Sequence, residues 1–503
     1  MSASVRRRAS VIAALVVLPT LVALPACAAV SPEQARMAFL RDILARDNAI
    51  WMSRDTTLLA GKYRKMAGDP FDFVRGTAAL YYADVAEPDP TRAQTAFLTV
   101  PEAGGVLLAG DPHVENFDTT LPGVEPALSS ADAAPVTTDL NIEVVDLDGA
   151  SFGPYLLDVR RGALGLAAMT SELDGCDQAC ADEVIAAYSA GYVDEIGHIA
   201  AGSPSSTACP ATGDGLDGTI VDDLCKTAVK DGTEAAVLGS VTGALAGDEH
   251  FVLDATIDAD GKGVLAVTPV ESDQLDRLLG LYRANGRLPA DFRELDRARR
   301  FGAGVASFPS IRYVVLWDHG LGGPEDDHLM SLREVVDPPA PPGRGPTVPV
   351  LFDSNAHRIE QVAWLLWSRP DADADMAGLD DGGTTFKATT WSGWFSGFNH
   401  ADIAAGWAAG DYVQVDVDGL GDRLGRTLAG SHARGLTDEG TPAIAPIADD
   451  IAEGGATAFV DERVRDAEVD AARSSADFSL FNDALSAYGP LLGADTPTDD
   501  TTR

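Results

Sequence analysis

Lysine is scarce in this chain, with six in 503 residues: Lys62, Lys65, Lys226, Lys230, Lys262 and Lys387. Lys and Arg together number 37 against 77 Asp and Glu, a formal charge of −40. That balance excludes a broad basic face, and with it nucleic acid or an anionic membrane surface as partners. Cysteine is sparse too, five in all, and none lies at a zinc-motif spacing from a histidine. The sequence has no serine or cysteine nucleophile motif, no dinucleotide fingerprint behind a strand and no internal repeat. A large, acidic, mixed-structure protein remains, long enough for a sizeable core or two domains.

The first residues do carry a pattern. Arg6, Arg7 and Arg8 precede an uncharged apolar run from Val11 to Leu24, followed by Pro25-Ala26-Cys27. That order is the signature of a secretory signal, and the run is too short for a spanning helix. Leu24-Pro25-Ala26-Cys27 resembles a lipobox, which predicts export to the periplasm or outer surface with a lipid anchor on Cys27. Ordinary cleavage near Ala26-Cys27-Ala28 is the alternative. Residues 1–27 are read as this signal, and an anchor at Cys27 is the only membrane contact expected. Four cysteines remain, an even number that suits an oxidising compartment. Cys176 with Cys180 and Cys209 with Cys225 is the simplest of three pairings.

Ser31-Pro32-Glu33-Gln34 reads as a helix start with a capping box. Short buried strands are expected at 104–110 and 142–147, and helices at 156–169 and 182–196. Residues 201–262, rich in Gly, Asp, Ser and Thr, read as a disulfide-tied insertion. A hairpin of Phe251–Leu253 with Val264–Val267 is expected next, then a helix near 273–284 and strands near 313–317 and 329–336. Asp337–Pro349 is too rich in proline for regular structure, and helical patterns follow at 358–367, 401–409 and 420–434. The fold class predicted is α+β.

The segment Gly110-Asp111-Pro112-His113-Val114-Glu115-Asn116-Phe117 follows an apolar strand and gathers an acid, an imidazole and an amide in one loop. About 30 residues on, Asp146-Leu147-Asp148 ends a second strand. Two acidic strand ends and an Asn suit a hard cation such as magnesium. Phosphoryl transfer needs such a set: a carboxylate to orient the attacking hydroxyl, and an Asn and an Asp to hold the metal. Asp111 takes the first role, Asn116 and Asp146 the second, with Asp148 as helper. His113 belongs to the same catalytic loop as a brace. Turns are also rich in Gly, Asp, Pro and Asn for conformational reasons alone.

Together these segments resemble the bacterial family known as domain of unknown function 2252, whose motif is GD-x-H-x-x-N-F. Val145-Asp-Leu-Asp148 with Gly153–Arg160, Lys65–Gly76, Gly304–Ser307, Leu332–Glu334 and Leu424–Arg434 are similar to its other motifs, in order, from about Arg54 to Gly489. That family in turn resembles aminoglycoside-phosphotransferase-type kinases. The resemblance implies a two-lobed kinase-like fold with permuted motif order, because the glycine loop follows the catalytic loop. Gly302, Gly304 and Ser307 would then cover phosphates, and Arg333 would occupy the place of the phosphate-binding lysine. Arg is not an equivalent partner there. Lys387 is a distant stand-in whose plainer reading is an exposed strand-end residue.

On this reading residues 31–200 carry the catalytic loop, 263–350 form the strand-rich nucleotide part, 351–490 are helical, and 491–503 are a disordered tail. Three functions follow: a magnesium-dependent phosphotransferase using ATP or another donor, an inactive kinase-like binding or scaffold protein, and a metal-dependent phosphoester hydrolase.

Overall fold

The computed structural model describes residues 30–494 apart from 87–94, 122–136, 206, 212–217, 232–241, 246–247, 287, 289–292, 319–326, 339–350, 369–375, 392–393 and 395. The signal segment with Cys27, the proline-rich stretch beyond 338 and the tail from 495 lie outside the described residues.

Helices α1 (Pro32–Asp47), α2 (Ala49–Arg54), α3 (Thr56–Met66), α4 (Pro70–Gly76) and α5 (Ala78–Ala86) come first. Ser31 caps α1 in the expected box with Gln34, and Pro32 sits at its first position. Two short antiparallel ribbons follow, β1 (Val106–Leu108) with β4 (Ser151–Gly153) and β2 (Phe117–Thr120) with β3 (Asn141–Val144). Next come α6 (Leu156–Thr170), α7 (Gln178–Ala200) and α8 (Gly218–Asp231), then the ribbon of β5 (Thr242–Leu245) and β6 (Asp248–Phe251).

The remaining strands are β7 (Gly263–Ala266), β8 (Arg293–Phe301), β9 (Arg312–Asp318), β10 (Asp327–Val335), β11 (Ala377–Asp381) and β12 (Thr384–Trp391). Between them lie α9 (Pro269–Ala284) and α10 (Asn355–Leu366), and after them α11 (His400–Ala409), α12 (Gln414–Arg434), α13 (Ile444–Gly454) and α14 (Ala456–Tyr488). The class is α+β.

Strands β7 to β12 form one antiparallel sheet in the order β11-β12-β10-β9-β8-β7. Successive strand residues face opposite sides, and β9 shows it clearly. Tyr313, Val315 and Trp317 pack on Leu275, Leu278 and Tyr282 of α9, whereas Val314 and Leu316 join Leu329 on the other face. Residues 312, 333 and 387 belong to that second face. The helices build the larger core around α6, α7 and α12. There α12 lies so close to α7 that a Cβ on Gly425 would stand 2.0 Å from the Tyr188 carbonyl oxygen, an approach only glycine permits.

Three expectations are corrected. Residues 218–231, inside the stretch read as an insertion, are helical, and Ile220, Val221, Leu224 and Cys225 join the main core. Their polar flanks hid an amphipathic stripe. The hairpin of 251–253 with 264–267 does not form: β6 pairs with β5 and β7 with β8, although Asp254 still bonds Val264 through its backbone. The region 351–490 is not wholly helical, because β11 and β12 complete the sheet. The four cysteines form two local pairs, Cys176–Cys180 and Cys209–Cys225, with Cα separations of 5.3 and 6.1 Å.

Candidate functional site

Asp111 is held from below. Gly110 has φ +98°, and a Cβ there would stand 2.2 Å from the Gly149 carbonyl oxygen. Glycine at 110 therefore lets the strand end after β1 touch the Asp146–Gly149 turn. The fully buried Asp158 of α6 accepts the Ala109 N–H at 2.6 Å and the Gly110 N–H at 3.1 Å. His432 of α12 donates to the same carboxylate from Nε2 at 3.0 Å, while its Nδ1 bonds the Tyr192 hydroxyl. Asp158, His432 and Tyr192 set the loop from outside the cleft lining, to which Gly110 and Gly149 themselves belong.

Arg161, 1 % exposed, donates to Asp111 Oδ1 at 2.7 Å. The 110–117 loop is closed by the Asn116 amide nitrogen, which donates to the Asp111 carbonyl at 2.7 Å, and by the Val145 N–H, which donates to the Asn116 carbonyl. With its nitrogen so used, Asn116 keeps Oδ1 for a cation. His113 is buried, with Nε2 3.9 Å from Asp111 Oδ2 and Nδ1 without a hydrogen-bond partner. Burial pushes its imidazole down to about 4 against the opposing pull of Asp111. It stays neutral near pH 7, which suits a brace.

That shift has a consequence for stability. The folded imidazole titrates near 4 and the unfolded one near 6.5, so protons favour the unfolded chain. The contribution is fully present above about pH 6.5 and is lost as pH falls toward 4, by roughly 3 kcal/mol. His113→Gln should lose less stability than the parent between about pH 7 and pH 4.5. Equal losses in urea unfolding at those two pH values would rule His113 out as the titrating group.

Asp111, His113, Asn116, Asp146 and Asp148 line one cleft of about 420 Å³, together with Gly304, Ser307 and Arg333. Gly302 is not among the lining residues. It supports the turn instead, at φ +69° with a built Cβ 2.6 Å from the Gly261 carbonyl oxygen.

The opposite wall comes from the sheet. In its register Arg333 of β10 lies directly between Arg312 of β9 and Lys387 of β12. Like charges set side by side across strands repel, so this row needs anions. Arg333 bridges Asp146 at 3.0 Å and Asp148 at 2.5 Å, and Lys387 reaches Asp148 at 3.0 Å. Burial would raise the Asp146 carboxyl, but Arg333 and Lys387 outweigh it and hold it far below the usual carboxylate range. Arg312 donates to the Ser307 hydroxyl at 3.4 Å, its hydrogen bond among the described residues, with Asp146 and Asp148 attracting it from farther off. Burial, then Arg333 and Arg300, push its guanidinium down to about 9.

Lys387 is thus no exposed strand-end residue; it is half-buried in mid-strand and points into the cleft. Pattern reading also missed Arg161, Arg312 and Asp118. Asp118 lines the cleft, and burial together with Asp146 and Glu115 pushes its carboxyl up to about 7. An alternation check along 117–120 could have aimed Asp118 at the loop, but nothing local marks Arg161 or Arg312.

No curated protein and no solved structure matches this chain. A family model does, over residues 54–484, and its description is an uncharacterized protein conserved in bacteria. With its GD-x-H-x-x-N-F loop lining this cleft, the chain belongs to the domain of unknown function 2252 family.

Proposed function

We propose that the cleft carries out magnesium-dependent phosphoryl transfer from a nucleotide or similar donor, on an exported kinase-like protein. The observation that carries this reading is the facing of two walls. Asp111, Asn116, Asp146 and Asp148 stand on one side; Arg312, Arg333, Lys387 and the glycine turn stand on the other. Hard-cation ligands opposite a row of fixed cations suit a metal–polyphosphate. The strand order supports it as well. The 302–307 turn joins antiparallel β8 and β9, and the next strand carries Arg333. Protein kinases order their glycine loop and phosphate-binding lysine in this way. The permuted order then follows from the catalytic loop lying upstream.

In this reading Asp111 orients the acceptor hydroxyl, with its own position fixed by Arg161. Asn116 Oδ1 and Asp146 hold magnesium, which would neutralise charge on the donor phosphates. Arg312 and Ser307 take the phosphate oxygens. With magnesium bound, Arg333 and Lys387 would share Asp146 and Asp148 with the ion. The signal-like first residues and the two disulfides support export.

One observation favours a second reading, the inactive binding protein. Arg333 and Lys387 already neutralise both candidate metal carboxylates. A thermal-shift titration decides between them. A live site should gain about 3 °C with millimolar nucleotide and magnesium together, and nothing with either alone. Flat curves for every nucleotide remove the phosphotransferase. Metal-stimulated phosphoester cleavage without nucleotide would point to the hydrolase.

A further inference from the structure

Behind the catalytic loop lies a second group of potential ligands. Asp69 at the start of α4, Glu172 just past α6 and His400 at the start of α11 place one donor atom each within 4.8 Å of one another. His400 Nε2 lies 3.6 Å from Glu172 Oε2 and 3.9 Å from Asp69 Oδ2. Those separations are too long for hydrogen bonds and fit atoms that share an ion.

What distinguishes this group from an ordinary acidic patch is how its other atoms are used. Asp69 spends Oδ1 on the Asp72 N–H, at 2.6 Å, as the cap of α4. Glu172 spends Oε1 on the Phe71 N–H at 3.2 Å. His400 gives Nδ1 to Glu115 Oε1, and Arg75 holds Glu115 in turn at 2.7 Å. The imidazole also rests against the Phe71 ring, with centroids 4.5 Å apart, and its side chain is only 11 % exposed. Each ligand is therefore fixed through one atom and presents the other to a common point. A carboxylate on the far nitrogen is the arrangement that orients metal-bound histidines and raises their basicity.

We infer that Asp69, Glu172 and His400 bind one divalent transition-metal ion of the zinc type, separate from the magnesium ligands proposed in the cleft. One imidazole and two carboxylates favour zinc or cobalt over magnesium, which prefers oxygen donors alone. Three protein ligands leave a position for water. The ion ties α4, the end of α6 and α11 to Glu115, the neighbour of Asn116, and so acts as a positioning clamp for the catalytic loop.

The test uses the purified protein stripped with a chelator and titrated with Zn2+, Co2+ and Mg2+. One Zn2+ per chain is expected, bound at least about tenfold more tightly than Mg2+, with Co2+ giving visible d–d absorption. His400→Ala and Glu172→Gln should each weaken Zn2+ binding by more than about tenfold, and Glu115→Gln by about tenfold through His400. Unchanged zinc affinity in both His400→Ala and Glu172→Gln overturns the site. So does zinc lost in Asp146→Asn but kept in His400→Ala, which would place the ion in the cleft. Should the variants misfold, zinc-soaked crystals of the parent protein decide. An anomalous peak among Asp69, Glu172 and His400 supports the site, and its absence overturns it.

Discussion

Asp158→Ala is expected to destabilise the fold by on the order of 4 kcal/mol, the largest loss from any single substitution considered. The carboxylate is fully buried and serves three donors: the N–H groups of Ala109 and Gly110, and Nε2 of His432. Alanine leaves all three without partners in a dry interior, and each such donor costs about 1–3 kcal/mol. The damage is local to the loop as well, since it leaves the Tyr82 hydroxyl on the Gly110 carbonyl as the side-chain hydrogen bond to the chain immediately before Asp111 among the described residues. Asp158→Asn should cost less, because its amide oxygen still accepts one of the N–H groups. Urea unfolding of both variants checks the ranking. If alanine is tolerated as well as asparagine, the buried Asp158 carboxylate is not what fixes the loop.

The second large effect concerns chemistry and rests on the phosphotransferase reading. Asp111→Asn should lower the transfer rate about 10²–10⁴-fold, the usual contribution of a positioned carboxylate. It should leave the magnesium–nucleotide thermal shift intact, because Asp111 is not a ligand in this reading. Asp146→Asn should do the reverse first, abolishing the magnesium-dependent shift and transfer with it. Arg333 and Lys387 keep Asp148 as a partner in that variant, so the protein should still fold. The two substitutions thus separate positioning of the acceptor from binding of the metal. Identical behaviour of both, at the level of nucleotide binding, would contradict the assigned roles.

Much of the local structure was legible. Ser31 with Gln34 announced the first helix, and the capping box formed. The apolar runs of β9 and β10, and the helical stripes of α6, α7 and α12, appear near their expected places. These are signals of short range, set by backbone propensity and periodicity. Helix α8 escaped because Gly- and Asp-rich flanks masked its stripe, and β11 and β12 escaped because strands that complete a sheet need not look different from a loop between helices.

Membership of the family and one wall of the cleft were settled by the sequence itself. The GD-x-H-x-x-N-F loop and the acidic strand end are each contiguous, so both patterns are legible before the fold brings them to one cleft. On the other wall the family resemblance pointed to Arg333 and the glycine turn, but the row that joins Arg333 to Arg312 and Lys387 was decided by tertiary structure. Residues 312, 333 and 387 are far apart in the chain, and only the pairing register of β9, β10 and β12 sets them in one row. A slip of one residue would turn Lys387 to the α9 face, since side chains alternate along a strand. The same holds for Arg161, His432 and His400, whose partners come from segments distant in the chain. No local pattern encodes them, because what places them is packing of whole elements against one another.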